Sequence, residues 1–208
     1  RKEIKDLIAY LRVILNPHDD ISIARIINTP TRGIGQKSLN EISRIAQLNN
    51  QTMFTTIQTI TNGSSSNQPQ IGKRGISSIK KFEEMIGNLI SFSQNSNLLN
   101  LIDEILDLTG YKTSLLNDEQ MEERIENIDE FKTSANAYIH LPTTEALNEF
   151  LESISLVSDT DNFDQEEHAL TLITLHQSKG LEFPVVFMIG MEENLLPHRR
   201  AIESGEPH

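Results

Sequence analysis

Apolar residues recur at three- and four-residue spacing through most of this chain up to residue 154. That period demands helices buried along one face. Ile4, Leu7, Ile8, Leu11, Ile14 and Leu15 make the first stripe, and Leu39, Ile42, Ile45 and Ala46 the next. Phe82, Met85, Ile86, Leu89 and Ile90 repeat the pattern, and 97–108 is densely apolar, as a core helix would be. Met121, Ile125, Ile128, Phe131, Ala135 and Tyr138 mark a long amphipathic helix, followed by Ala146, Leu147, Phe150, Leu151 and Ile154 on another. Past residue 170 the period changes. Residues 171–175 and 185–190 read as two short apolar β-runs flanking a polar turn that carries Lys179, Gly180 and Glu182. The expected class is therefore mainly α, with short strands at the C-terminal end.

Local signals divide the stripes. Pro17 disfavours helix in the residue before it, so the first helix is expected over 1–16, with a short second one through 21–27. Residues 61–70 are polar and of low complexity, a loop by composition. Gly110 follows Thr109 where a left-handed helix cap is needed, and the chain from Tyr111 reads as a linker. Leu141-Pro142-Thr143 stops one helix and starts another. Residues 158–167 are acidic without hydrophobic period and read as a connector back to the β-region. The 16–20 break and this connector would bound a helical insertion at 17–167, set between flanking segments 1–16 and 168–208 and free to rotate on two hinges.

The net charge of −12 argues against a nucleic-acid partner until its distribution is considered. Residues 1–81 hold twelve Lys/Arg against five Asp/Glu, whereas residues 82–208 hold six against twenty-five. Such asymmetry fits a basic binding face beside an acidic body, or simply uneven surface solvation. The absence of cysteine excludes disulfides and thiolate chemistry. No signal peptide is present and no apolar run approaches the roughly 18 residues of a membrane span, so a cytoplasmic protein with no membrane partner is expected. The chain begins Arg1-Lys2-Glu3 inside a helical pattern and reads as a piece of something larger.

One stretch has the chemistry of a phosphate contact. Thr31-Arg32-Gly33-Ile34-Gly35-Gln36-Lys37 places two glycines around one apolar residue just before a helical stripe. Glycine lets a ligand approach the backbone, the first helical turn offers free amides, and the helix dipole favours an anion. Arg32 and Lys37 add charge without needing to read bases. A plain glycine turn between helices is the alternative. Gly72-Lys73-Arg74-Gly75 opens a second helix in a similar way, either as another backbone contact or as an ordinary helix start. Asp118, Glu119, Glu122, Glu123, Glu126, Asp129 and Glu130 form a charge run near a helix start. It reads as a solvated face, because nothing nucleophilic or metal-binding accompanies it.

The string Thr174-Leu175-His176-Gln177-Ser178-Lys179-Gly180-Leu181-Glu182-Phe183 resembles motif V of superfamily 1 DNA helicases of the UvrD/PcrA/Rep type, nearest the PcrA branch. Gly190-Met191-Glu192-Glu193 and Leu196-Pro197-His198 continue the likeness. Thr29-Pro30-Thr31-Arg32-Gly33-Ile34-Gly35 resembles the same family's Thr-Pro-x-Arg-Gly-Ile-Gly element, a turn like that of helix-hairpin-helix proteins. Ser178 and Asn194 depart from the alanine and glycine frequent there. The resemblance implies an accessory insertion subdomain (2B) flanked by remnants of a split RecA-like α/β domain, in an ATP-dependent 3′–5′ DNA helicase. It assigns Thr31, Arg32, Gly33, Ile34, Gly35, Lys37, Lys73 and Arg74 to duplex backbone at a duplex–single-strand junction. Thr174 and His176 would face single-stranded DNA, and Lys179, Gly180 and Glu182 would face nucleotide. No Gly-x-x-x-x-Gly-Lys-[Ser/Thr] loop, acidic magnesium motif or arginine-finger motif occurs in the sequence. ATP and Mg²⁺ are therefore expected in the parent only, with no catalytic or metal-ligating residue here. Repair or replication proteins would be further partners. An autoregulatory, protein-docking module and a piece of an AddA/RecB-type helicase–nuclease are the rival readings.

Overall fold

The computed structural model describes residues 1–65, 68–116, 118, 120–161, 172–173, 178, 182–189 and 191, with the backbone alone for 156–161. By internal contacts the chain divides into two units, Arg1–Ser155 and Leu156–His208.

The first unit is built around its first helix. Helix α1 (Lys2–Leu15) ends at Asn16, which is extended (φ −141°, ψ 96°) ahead of Pro17. Helix α2 (Asp20–Ile26) starts on Asp19, whose carboxylate accepts from the Ser22 amide at 3.0 Å. Helix α3 (Gln36–Asn49) and helix α4 (Met53–Thr61) follow, and the Asp20 carboxylate ties the start of α4 to α2 by accepting from the Met53 amide at 2.8 Å. Helix α5 (Lys73–Ser93), the longest at 21 residues, buries Ile79, Phe82, Ile86 and Leu89. Helix α6 (Leu98–Leu108) leads through left-handed Gly110 (φ 71°) into α7 (Tyr111–Leu115). Helix α8 (Met121–Ala135), a 3₁₀ turn at Asn136–Tyr138 and α9 (Thr143–Asp161) complete the described helices. Phe150 of α9 seats between Phe131 and Tyr138, ring centroids 5.1 and 5.5 Å away.

Helix α1 packs against α2, α5, α6 and α8, so it is buried well beyond a single stripe. Glu3 and Asp6 are buried with Leu7, Tyr10, Leu11 and Val13. Each carboxylate is partnered: Glu3 accepts from Asn127 Nδ2 at 2.6 Å, and Asp6 accepts from Arg25 Nη2 at 2.7 Å and Tyr111 Oη at 2.8 Å.

Some expectations need correcting. The chain from Tyr111 is not simply a linker: Tyr111 and Leu115 are buried on α7. A short helix is viable there because Tyr111 reaches a buried carboxylate partner. Helix α4 is an addition to the expected elements, with Met53, Phe54, Ile57 and Ile60 buried among β-branched threonines. Helical backbone continues to Asp161, past the connector expected from Ser158, since no proline or glycine interrupts it; 162–167 lie outside the described residues. No strand occurs among the described residues. Residues 185–189 of the expected second β-run carry no ladder, and Val185, Phe187 and Ile189 are exposed. A strand is held only by a neighbouring strand, and none is described. Among the described residues, no helix is long and apolar enough to cross a membrane.

Candidate nucleic-acid interface

The turn between α2 and α3 is fixed from both sides. On one side the Asn28 side chain folds back, and its Oδ1 accepts from the amides of Arg32 at 2.9 Å and Ile34 at 3.2 Å. Ile34 is only 1% exposed and plugs the turn into the core. Gly33 between them has φ +79°, and a methyl placed on it would lie 3.2 Å from Ser78 Oγ. Glycine is thus required at 33 by conformation and by the close passage of α5.

On the other side lies Arg32. Its Nη1 donates to the carbonyls of Ile26 at 2.7 Å, Ile27 at 3.3 Å and Thr29 at 3.3 Å. Its Nη2 donates to Tyr10 Oη at 2.8 Å, and that hydroxyl donates to Thr29 O at 2.5 Å. The guanidinium carbon also sits 5.7 Å from the centre of the Phe82 ring. Burial pushes the Tyr10 hydroxyl pKa up, while the Arg32 charge and hydrogen bond oppose that rise.

Gly35 opens α3 with no side-chain cap (φ −79°, ψ 172°); its carbonyl accepts from the Ser38 amide at 3.0 Å, and the Gln36 and Lys37 amides have no intrahelical acceptor. Gly72 opens α5 in the same manner (φ −65°, ψ 159°), again with no side-chain cap. Neither first turn contains an acidic residue. The two helix starts adjoin: besides the Gly33–Ser78 approach, a methyl on Gly75 would lie 3.5 Å from Ser38 Oγ and 2.7 Å from Ile71 Cγ2. Glu41, inside α3, holds the approach to α5, its Oε1 accepting from the Gln70 amide at 3.0 Å. Lys37, Lys73 and Arg74 are exposed and form no ion pair among the described residues. A cleft of about 320 Å³ continues from this surface, lined by Arg32, Ser78, Lys81, Met85 and Asn88 among others.

The fold therefore brings Thr31, Gly33, Gly35, Lys37, Lys73 and Arg74 onto neighbouring turns, while Ile34 and the Arg32 guanidinium turn inward. Asn28, Tyr10, Glu41, Ser38 and Ser78 shape the surface without a sequence signal that isolates them. An Asx residue four before an arginine and six before an apolar residue was the nearest clue. Thr174, His176, Lys179 and Gly180 lie outside the described residues. Glu182 is described and exposed, in a stretch without helix or strand. Glu122, Glu123, Glu126, Asp129 and Glu130 are all exposed on α8, a solvated face. No group of three or more His, Asp or Glu among the described residues is placed to hold a metal ion.

Residues 1–207 match the family described as UvrD-like helicase C-terminal domain. The chain is 42% identical to the ATP-dependent DNA helicase PcrA of Staphylococcus epidermidis RP62A over its whole length, which is 28% of that relative. It is 39% identical to the PcrA of Bacillus subtilis 168, over 97% of this chain and 28% of the relative. Against the PcrA of Staphylococcus aureus Mu50 the identity is 41%, over all of this chain and 28% of the relative.

Proposed function

Because the chain belongs to the UvrD-like helicase C-terminal domain family, we propose that it is part of an ATP-dependent DNA helicase and that its helical unit grips duplex DNA by the sugar–phosphate backbone. The duplex would lie ahead of a junction with single-stranded DNA, on a helicase moving 3′ to 5′. The helical insertion would span 17–167 between two RecA-like remnants, 1–16 and 168–208. Thr174 and His176 would face the single strand, and Lys179, Gly180 and Glu182 would face nucleotide. ATP would supply the driving force, with Mg²⁺, from residues beyond these. No described cluster here fits a metal ion, so no step is assigned to that group in this chain.

One observation carries the duplex reading. Gly35 and Gly72 open adjoining helices, yet neither glycine is needed by the fold. Both have negative φ that any residue adopts, and a methyl on either would meet nothing within 4 Å. A bare backbone with free amides, flanked by unpaired Lys37, Lys73 and Arg74, suits an anion that comes close to the main chain. Backbone amides and point charges read no bases, so binding should be indifferent to sequence and steeply dependent on salt.

The test uses Gly35→Ala and Gly72→Ala in fluorescence anisotropy with a duplex–single-strand junction. Each variant should stay within about 1 kcal/mol of wild-type stability, since the backbone is permissive and only a modest cap preference changes. Each should weaken binding about tenfold, or roughly 1.4 kcal/mol. Equal affinity of the folded variants and wild type would remove the interface. Binding to a repair or replication protein, with none to DNA, would favour the docking-module reading.

A further inference from the structure

We infer that Arg32 is a positioning residue that shapes the phosphate-facing turn from within, rather than one of the cations that meets the phosphates. This rests on the duplex reading above and assigns the arginine a different part in it.

The argument is one of donors and directions. An arginine meets a phosphate best with two parallel N–H groups presented from one edge of its fork. In Arg32 the terminal edge is taken: Nη1 is directed at the carbonyls of Ile26, Ile27 and Thr29, and Nη2 at Tyr10 Oη. The Ile26 and Ile27 carbonyls belong to the C-terminal end of α2, where the helix dipole favours a cation. The ring of fully buried Phe82 lies beside the guanidinium. To turn that terminal edge to a phosphate the side chain would have to abandon these acceptors and leave Tyr10 Oη without its donor in a buried setting.

Held as it is, the guanidinium joins three elements at one point: α1 through Tyr10, the end of α2 through its carbonyls, and α5 through Phe82. The turn leaving that point has its amides at 32 and 34 gathered by Asn28, and left-handed Gly33 between them leads the chain into the start of α3. The orientation of the free amides at the start of α3 is therefore set by Arg32 and Asn28 together. Lysine cannot substitute, because one ammonium on a flexible stem does not span several carbonyls and a phenol while lying against a ring.

The experiment compares Arg32→Lys, Arg32→Gln, Tyr10→Phe and Lys37→Ala in the 208-residue chain. Duplex-junction affinity is measured across a salt series, with hydrogen exchange of the Arg32 and Ile34 amides alongside. A positioning role gives Arg32→Lys and Arg32→Gln the same loss, about tenfold, with salt lines parallel to wild type. Lys37→Ala should instead flatten the line by about one phosphate contact. Tyr10→Phe, which keeps every charge, should weaken binding with an unchanged slope and add little on top of Arg32→Lys. In both Arg32 variants the two amides should exchange faster than the change in global stability accounts for, while the amides of α1 and α5 follow global stability alone, a local change that a merely stabilising arginine would not give.

Retention of affinity in Arg32→Lys, or a flattened line in Arg32→Gln matching Lys37→Ala, would overturn the inference and make Arg32 a direct phosphate contact. Absence of duplex binding by wild type would instead overturn the interface itself, and the role of Arg32 with it. The two failures are thus told apart by the wild-type titration alone.

Discussion

Glu41 is 9% exposed on α3, and its carboxylate is fully engaged. Arg44 donates from Nε to Oε2 and from Nη2 to Oε1, both at 2.8 Å, and the Gln70 amide donates to Oε1 at 3.0 Å. The Arg44 hydrogen bonds first, and the Gln70 amide second, hold the Glu41 pKa down to about 2 despite the cost of burial. A carboxyl whose folded pKa lies below its unfolded value of about 4.3 stabilises fully above the unfolded value. That contribution is lost as pH falls from about 5 to about 2. Glu41→Gln should therefore cost about 1–2 kcal/mol at neutral pH, and the gap from wild type should close as melts are repeated down to pH 2. A gap that stayed constant would mean that the ionised form is not what holds Gln70. The neutral amide also weakens the link that brings Gly72 beside the start of α3, so the same substitution should lower duplex affinity with no change in the number of cations.

At the scale of the element, α1 shows how far a sequence pattern reaches. Its stripe of Leu7, Leu11 and Ile14 reads as an amphipathic helix, and Pro17 marks its end. Periodicity cannot say that Glu3, Asp6 and Tyr10 are buried too, because that follows from partners supplied by α2, the turn after it, α7 and α8. Asp6 is legible as buried only once Arg25 and Tyr111 are known to reach it. The same reason hides α7, whose five residues have no period to display and which is held by buried Tyr111 and Leu115, the phenol on one carboxylate. Gly110 was legible, because its left-handed backbone is a property of the residue itself. The turn at 31–37 was legible as a string, but its inward arginine was not, since a free and a satisfied guanidinium look alike in sequence. Tyr111→Phe tests the α7 contact. Asp6 keeps Arg25, so the loss should be about 1–2 kcal/mol, read as a lower urea midpoint with unchanged slope. Burial and the Asp6 hydrogen bond push the Tyr111 hydroxyl pKa far up. The neutral phenol therefore stabilises fully below about pH 10 and the benefit fades only above it. Ultraviolet titration should show Tyr111→Phe with one tyrosine fewer than wild type among those that resist ionisation until the protein unfolds.

For the molecule as a whole, the distribution of core and of charge leads to one prediction. Among the described residues, every buried hydrophobic side chain lies at or before Leu151, inside the unit Arg1–Ser155. Residues 156–208 contain three Lys/Arg against ten Asp/Glu, an anionic surplus on the same chain as the basic turns. Repulsion between that surplus and a polyanion acts over about a Debye length, roughly 10 Å at 0.1 M salt, and fades as salt rises. Ending the chain after Ser155 should therefore leave the melting midpoint within about 3 °C of the 208-residue chain, because no described residue beyond it belongs to the core. The shorter chain should bind the duplex junction more tightly at about 50 mM salt, with the two affinities converging near 0.5 M as screening takes over. A shorter chain that melts much earlier would show that residues beyond 155 complete the core. One that melts normally but binds more weakly would place duplex-contacting cations in the C-terminal segment, where Lys179, Arg199 and Arg200 are the candidates.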